Sequence, residues 1–250
     1  MIGMPIWREL MTTDLDASST FYAEMFGWNV RVMRCDYLTM AHDTEAFAGA
    51  MPCPDGGRPQ WVLYIHVEDV DAVLNRAIDA GGTVCVPAFD MPHIGRIGMF
   101  LDPFGAMTAV MTPVEADAKP IARPKVHEFC WQTLLTPDAR AAADFYGHVL
   151  GWTTKRFGDS APLFAQGDHV LAEIAQLPSN SPAKPQWTMS IAVADCGEAV
   201  NHALQLGSEL VRRDDDKQVG SIAIIRDNCG ATVALFQPNV DGIDELMAGG

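Results

Sequence analysis

The sequence predicts an α+β fold of four βαβββ modules in tandem, two in each half of the chain, with mixed sheets. Three observations predict it. The chain repeats itself once, each copy alternates β-rich runs with amphipathic helical stripes, and each copy closes on an Asp-x-x-Gly turn between two short strands.

The repeat governs everything else, because a duplicated unit sets the architecture. Trp7-Arg8-Glu9-Leu10-Met11-Thr12-Thr13-Asp14 returns as Trp131-Gln132-Thr133-Leu134-Leu135-Thr136-Pro137-Asp138. Phe21-Tyr22 and Gly27-Trp28 return as Phe145-Tyr146 and Gly151-Trp152, and Pro59-Gln60-Trp61 returns as Pro185-Gln186-Trp187. Asp102, Gly105 and Pro113 match Asp227, Gly230 and Pro238. All six tryptophans fall into matched pairs. Chance does not align so many rare residues, so residues 1–114 and 126–240 are read as two domains. Residues 115–125 are a polar linker with Pro and Ala, and 241–250 an acidic tail.

Within copy one, Ile6–Thr12 reads as a strand, and Asp14 or Asp16 caps a helix with Ala17, Phe21 and Met25 on one face. Short strands follow near Tyr37–Ala41 and Ala46–Met51, then the β-rich run Trp61–Val67. Val70, Val73, Leu74, Ala77 and Ile78 form the stripe of a second amphipathic helix, stopped by Gly81-Gly82. Strands near Ile97–Leu101 and Met107–Met111 flank the Asp102-Pro103-Phe104-Gly105 turn. Copy two repeats the stripe as Cys196, Ala199, Val200, Ala203 and Leu204, stopped by Gly207.

Composition excludes several classes. The 250 residues carry 17 Lys plus Arg against 32 Asp plus Glu, a formal charge of −15 that repels a phosphate backbone. No nucleic-acid partner is expected. No apolar run approaches the ~20 residues that span a bilayer, and Met1–Met11 lacks the pattern of a secretory leader. The six cysteines form no C-x-x-C pair and fit neither a zinc site nor a disulfide scaffold. A cytoplasmic protein without a membrane partner is expected. Phosphate-loop, dinucleotide-binding, nucleophile-elbow and zincin motifs are absent from the sequence.

The modules, the Thr12-x-Asp14, Phe21-Tyr22 and Gly27-Trp28 opening, and the Asp-Pro-x-Gly turn resemble the vicinal oxygen chelate superfamily. This superfamily includes glyoxalase I, bleomycin-resistance proteins and extradiol dioxygenases. The tandem form is similar to a bacterial subgroup called glyoxalase-like or hydroxylase. The resemblance implies two glyoxalase/bleomycin-resistance/dioxygenase-like domains with concave sheets. It also implies a divalent metal held by His and Glu from the first and fourth strands of paired modules. The matching positions here are Trp7, Gly49, Val62 and Ala109 in copy one, and Trp131, Glu173, Thr188 and Ala234 in copy two. One carboxylate in eight positions does not supply the three or four ligands a metal needs, so neither metal nor other cofactor is expected. A residual metal site would have to recruit His127 or His169 to Glu173.

Strand alternation then puts Trp7, Glu9 and Met11 on the concave face, with Tyr64 and His66 in phase with Val62. Copy two offers Trp131, Thr133, Glu173, Thr188 and Ser190. Aromatic walls with a few polar groups are the usual makeup of a small-molecule site. The expected function is metal-free binding of an aromatic or amphipathic compound, to sequester or carry it. The alternative is an enzyme: a glyoxalase-like lyase or isomerase, a dioxygenase-related enzyme, or a cofactor-free acid–base catalyst using Glu9, Tyr64 and His66. Plainer readings stand beside these. The two tryptophans fill space vacated by a metal, Glu9 and His66 form a satisfied pair, and Cys130 is a small buried hydrophobe. The Phe-Tyr pairs are core with a hydroxyl at the rim. Arg96 is free to meet an anionic ligand beside the His93 loop. Because both copies share one chain, a monomer is expected to be a complete internal pseudo-dimer, with any further dimer an addition. Whether modules pair within a copy or between copies stays open.

Overall fold

The computed structural model describes residues 1–34, 36–42, 45–54, 56–115, 124–156, 161–216 and 219–239. Most of the expected linker, all of the expected tail and Cys35 lie outside them. Copy one comprises β1 (Pro5–Thr12), α1 (Leu15–Phe26), β2 (Asn29–Arg34), β3 (Tyr37–His42), β4 (Glu45–Pro52), β5 (Gln60–His66), α2 (Val70–Asp79), β6 (Thr83–Met91), β7 (Gly95–Leu101) and β8 (Met107–Pro113). Copy two comprises β9 (Phe129–Thr136), α3 (Ala139–Leu150), β10 (Thr153–Lys155), β11 (Leu163–Gln166), β12 (His169–Gln176), β13 (Gln186–Ala192), α4 (Cys196–Gln205), β14 (Glu209–Asp216), β15 (Gly220–Arg226) and β16 (Thr232–Pro238). Each copy is one eight-stranded mixed sheet, in the orders β2-β3-β4-β1-β5-β8-β7-β6 and β10-β11-β12-β9-β13-β16-β15-β14. Four βαβββ modules are therefore present.

Each helix starts on an aspartate. Asp14, Asp69, Asp138 and Asp195 accept a backbone N–H from the first turn, which satisfies a donor the helix itself cannot. Asp14 holds the α1 cap, and Asp16 lies inside the first turn. The stripe of α2 buries Val70, Val73, Leu74 and Ala77, but Ile78 is exposed, as is Leu204 in α4. Both lie in the last turn of their helix.

The compact units do not follow the copies. One comprises Met1–Trp7, Val62–Ile121 and Gln132–Trp187, and the other Arg8–Trp61, Ala122–Trp131 and Thr188–Gly250. Each takes one module from each copy. In the first unit, Tyr146 on α3 donates to Asp102 in the β7–β8 turn at 3.4 Å and lies 3.0 Å from the Thr108 hydroxyl. Trp187 Nε1 donates to that same hydroxyl at 2.9 Å. In the second unit, Tyr22 on α1 donates to Asp227 in the β15–β16 turn at 3.0 Å and accepts from Trp61 Nε1 at 2.9 Å. Both tyrosines are fully buried, so their hydroxyls are not at a rim. They are anchors between copies.

The aspartates serve the turns as well. Asp102 Oδ1 accepts the N–H groups of Phe104 and Ala106, and Asp227 Oδ1 those of Cys229 and Ala231. Burial pushes both carboxyls above their ordinary range, with these bonds opposing it. Burial also drives both tyrosine hydroxyls well upward, reinforced by the aspartate charge, so each phenol stays a donor. Two further tryptophans belong to the same cores. Trp152 stacks on Tyr146 and donates to the Gly3 carbonyl, while Trp28 stacks on Tyr22 and donates to the His127 carbonyl. Gly3 and His127 both take positive φ at that turn, which glycine adopts more easily.

Candidate functional site

Side-chain contacts with the helices fix which face of each strand remains. Thr12 meets Ser18 of α1 at 2.7 Å, so Glu9 and Met11 point away from that helix. Thr108 meets Tyr146, and the next residue Ala109, with its register partner Tyr64, takes the opposite face. The Phe164 ring lies 5.3 Å from Tyr146, which turns the neighbouring face, with Leu163 and Glu173, away from α3. Trp187 points to Thr108, so Thr188 and Ser190 point the other way. Glu9, Met11, Tyr64, Glu173, Thr188 and Ser190 thus lie on the strand faces opposite these contacts.

The resemblance names Trp7 with Gly49, and Val62 with Ala109, as ligand positions, whereas the strands pair Glu9 with Gly49 and Tyr64 with Ala109. In copy two they pair Thr133 with Glu173 and Ser190 with Ala234. A slip of two residues keeps the same face outward, so periodicity alone does not detect it.

In module one, Glu9 is buried and accepts from the Tyr37 hydroxyl at 3.2 Å. Gly49 makes room for both. A Cβ there would stand 2.5 Å from Glu9 Oε1 and would collide with the Tyr37 oxygen. Tyr37 escaped the sequence reading because nothing in a short β-run identifies the strand it faces. In module three the carboxylate sits on the other strand: Glu173 on β12 accepts from Thr133 on β9 at 3.2 Å. Burial pushes the Glu173 carboxyl up, and the Thr133 bond opposes it. Modules one and three thus each hold one carboxylate at the equivalent register point, hydrogen-bonded to a hydroxyl of the same module.

The other candidates separate. Met11, Tyr64, Thr188 and Ser190 are buried, whereas Trp7 and Trp131 are half-buried. His66 ends β5, where its backbone bonds to Gly3 and Met4. Its imidazole is lowered, chiefly by burial and then by the N-terminal charge. Glu9 has Tyr37 as a partner, and His66 has the Met1 backbone. Cys130 is half-buried with its thiol toward the Ser190 carbonyl, and burial pushes that thiol up to about 12. Cys53, Cys85, Cys130, Cys196 and Cys229 are all free thiols.

Arg96 is not free. It lines a groove of about 650 Å³ with Ile2, Val67, Val70, Arg76 and Leu150. There it is paired with Asp71 at 2.6 Å and Asp90 at 3.0 Å. Those two carboxylates occupy the charge an anionic ligand would need.

The comparisons agree with this architecture. Residues 7–110 match the model of the Glyoxalase/Bleomycin resistance protein/Dioxygenase superfamily, and residues 128–236 match that of the Glyoxalase-like domain. "Putative glyoxylase CFP32" of Mycobacterium tuberculosis (strain CDC 1551 / Oshkosh) is 30% identical, covering 94% of this chain and 95% of its own. The chain belongs to the glyoxalase/bleomycin-resistance/dioxygenase superfamily. A second relative, "Anthracycline biosynthesis protein DnrV" of Streptomyces peucetius, is 31% identical over 94% of this chain and 93% of its own. Among solved structures, the Mn(II)-bound glyoxalase from Novosphingobium aromaticivorans aligns with a TM-score of 0.65 at 16% identity, covering 94% of this chain and 82% of that one. The 2,3-dioxygenase LapB from Pseudomonas sp. KL28 aligns at 0.63 and 13%, covering 96% and 94%. At these identities the likeness is one of fold.

A divalent metal does not fit the donors present. The register pairs offer Glu9 with Gly49, Tyr64 with Ala109, Thr133 with Glu173 and Ser190 with Ala234. Among the described residues, no three His, Cys, Asp or Glu side chains gather as a metal needs. Among the same residues, no helix is long and apolar enough to cross a membrane.

Proposed function

We propose that this chain is a small-molecule-binding member of the superfamily that works without metal, sequestering or carrying an aromatic or amphipathic compound on the strand faces turned away from the helices. One observation carries the reading. The carboxylates at the β1–β4 and β9–β12 register points are hydrogen-bonded to hydroxyls of their own modules, which suits recognition of a polar group. Met11 and Tyr64 supply apolar surface on the same kind of face. A relative named for anthracycline biosynthesis supports an aromatic ligand class. The free thiols accord with a reducing, cytoplasmic setting.

Tryptophan fluorescence titrated with phenols, quinones and polycyclic aromatics tests the reading, alongside elemental analysis of the purified chain. Saturable change without stoichiometric metal is the expected result. Stoichiometric Zn, Mn, Ni or Fe, or silence across the panel, overturns it.

A second reading rests on Glu173. A half-buried carboxyl with a raised pKa is suited to general acid–base work, so a cofactor-free lyase or isomerase is the enzyme alternative. Turnover of a small carbonyl substrate that disappears in Glu173→Gln and persists in chelator would favour it.

A further inference from the structure

Thr188 on β13 is 2% exposed, and its hydroxyl is buried without a hydrogen-bond partner among the described residues. A buried hydroxyl left unpaired costs folding free energy, so its presence needs a reason. The fold does not supply one. The matching position in module two is Val62, fully buried and nearly the same shape without the hydroxyl. A valine therefore satisfies the packing of this βαβββ framework.

The neighbouring position differs in a second way. In module two Tyr64 faces Ala109, and in module four Ser190 faces Ala234. Thr188 and Ser190 share one face of β13, two residues apart. Module four thus lacks the phenol ring that module two carries, beside a hydroxyl that has no partner among the described residues.

From these two differences we infer that module four has a binding subsite for an aromatic ring bearing a hydroxyl or carbonyl oxygen. Thr188 hydrogen-bonds that oxygen, and the ring occupies the place that Tyr64 fills in module two. This deepens the proposed binding function and rests on it. The hydroxyl is a ligand contact kept at the expense of stability, a trade that functional sites commonly show.

p-Cresol, which has the shape of a tyrosine side chain, and p-xylene, which lacks the hydroxyl, are the probes, with affinities read by ligand-observed NMR. The wild-type chain should bind p-cresol roughly five- to tenfold more tightly than p-xylene, as one hydrogen bond provides. Thr188→Val should erase that preference while keeping p-xylene affinity, and should unfold at the same or a higher temperature. Ser190→Tyr, which restores the ring of module two, should bind neither probe. A lower unfolding temperature for Thr188→Val shows that the hydroxyl serves the fold and overturns the inference. An intact preference in Thr188→Val also overturns it, while leaving the broader reading standing if the wild-type chain binds other aromatics. Silence of the wild-type chain toward both probes and the wider panel removes both.

Discussion

Glu9 and Gly49 are register partners across β1 and β4, and the carboxylate of the first lies in the space left by the missing side chain of the second. Copy two inverts the pair, with Thr133 on the first strand and Glu173 on the fourth. A carboxylate placed from either strand reaches the same point. The duplication has kept one acid there in each copy while exchanging its neighbours, so the two sites differ in their hydrogen-bond partners.

Gly49→Ala tests the first arrangement. The new methyl has to displace the Glu9 carboxylate, the Tyr37 hydroxyl or both, and overpacking of this kind costs about 1–3 kcal/mol. Urea unfolding should show that loss. Tyr37→Phe in the Gly49→Ala background should then cost less than it does in the wild type, because the bond it removes is already broken. Strictly additive losses would show that Gly49 does not act through the Tyr37–Glu9 contact.

Glu173 makes stability depend on pH in a direction that burial sets. Its folded carboxyl is raised above the ordinary value of 4.5, so above that pH the folded chain keeps a proton that the unfolded chain has released. Stability from this group therefore falls as pH rises through the window between the ordinary and raised values, and is level above it. Glu173→Gln has no such fall. Denaturation from pH 4 to 8 should show the variant gaining on the wild type as the window is crossed. A difference independent of pH would rule out the Glu173 carboxyl as its source.

The two anchoring tyrosines should not be equivalent. Tyr22→Phe removes a 3.0 Å bond to Asp227 and also the acceptor of Trp61 Nε1. Tyr146→Phe removes a 3.4 Å bond to Asp102 and a 3.0 Å bond to the Thr108 hydroxyl, but that hydroxyl still accepts from Trp187 Nε1, so no indole N–H is stranded. Leaving buried polar groups unpaired costs about 1–3 kcal/mol each, so Tyr22→Phe should be the more destabilising change. Equal losses by chemical denaturation would show that the tryptophan bond contributes little.

The duplication, the four modules and the buried helical stripes were legible because rare residues and apolar periodicity record them directly. The edge strands β2 and β14 were not. Arg31, Val32, Met33 and Arg34 are exposed, as are Leu210, Val211, Arg212 and Arg213, so no alternating burial marks those strands. The site was half legible. Alternation sets Glu9 in phase with Trp7 and Ser190 with Thr188, but it does not say which residue of the neighbouring strand each pairs with, and Tyr37 enters only through β3–β4 pairing. The Arg96 ion pairs were beyond reach for a related reason, since Asp71 and Asp90 lie on different elements.

Pairing between copies determines what happens when the chain is divided. Each compact unit combines a module of copy one with a module of copy two, so the partner that Tyr22 needs is Asp227 and the partner that Tyr146 needs is Asp102. A polypeptide of residues 1–114 alone has Tyr22 and Phe21 on a helix whose covering module is missing. Its own Asp102 turn is the repeat equivalent of the missing Asp227 turn, so a second copy of the fragment can supply the cover. The intact chain already holds both partners at the high effective concentration a linker provides, and we propose that it is a monomer. Size-exclusion chromatography with light scattering should show a dilution-stable monomer for the intact chain. Residues 1–114 alone should be dimeric, and addition of residues 126–240 should convert them to a one-to-one complex. A folded, monomeric 1–114 fragment would show that the pairing between copies is dispensable.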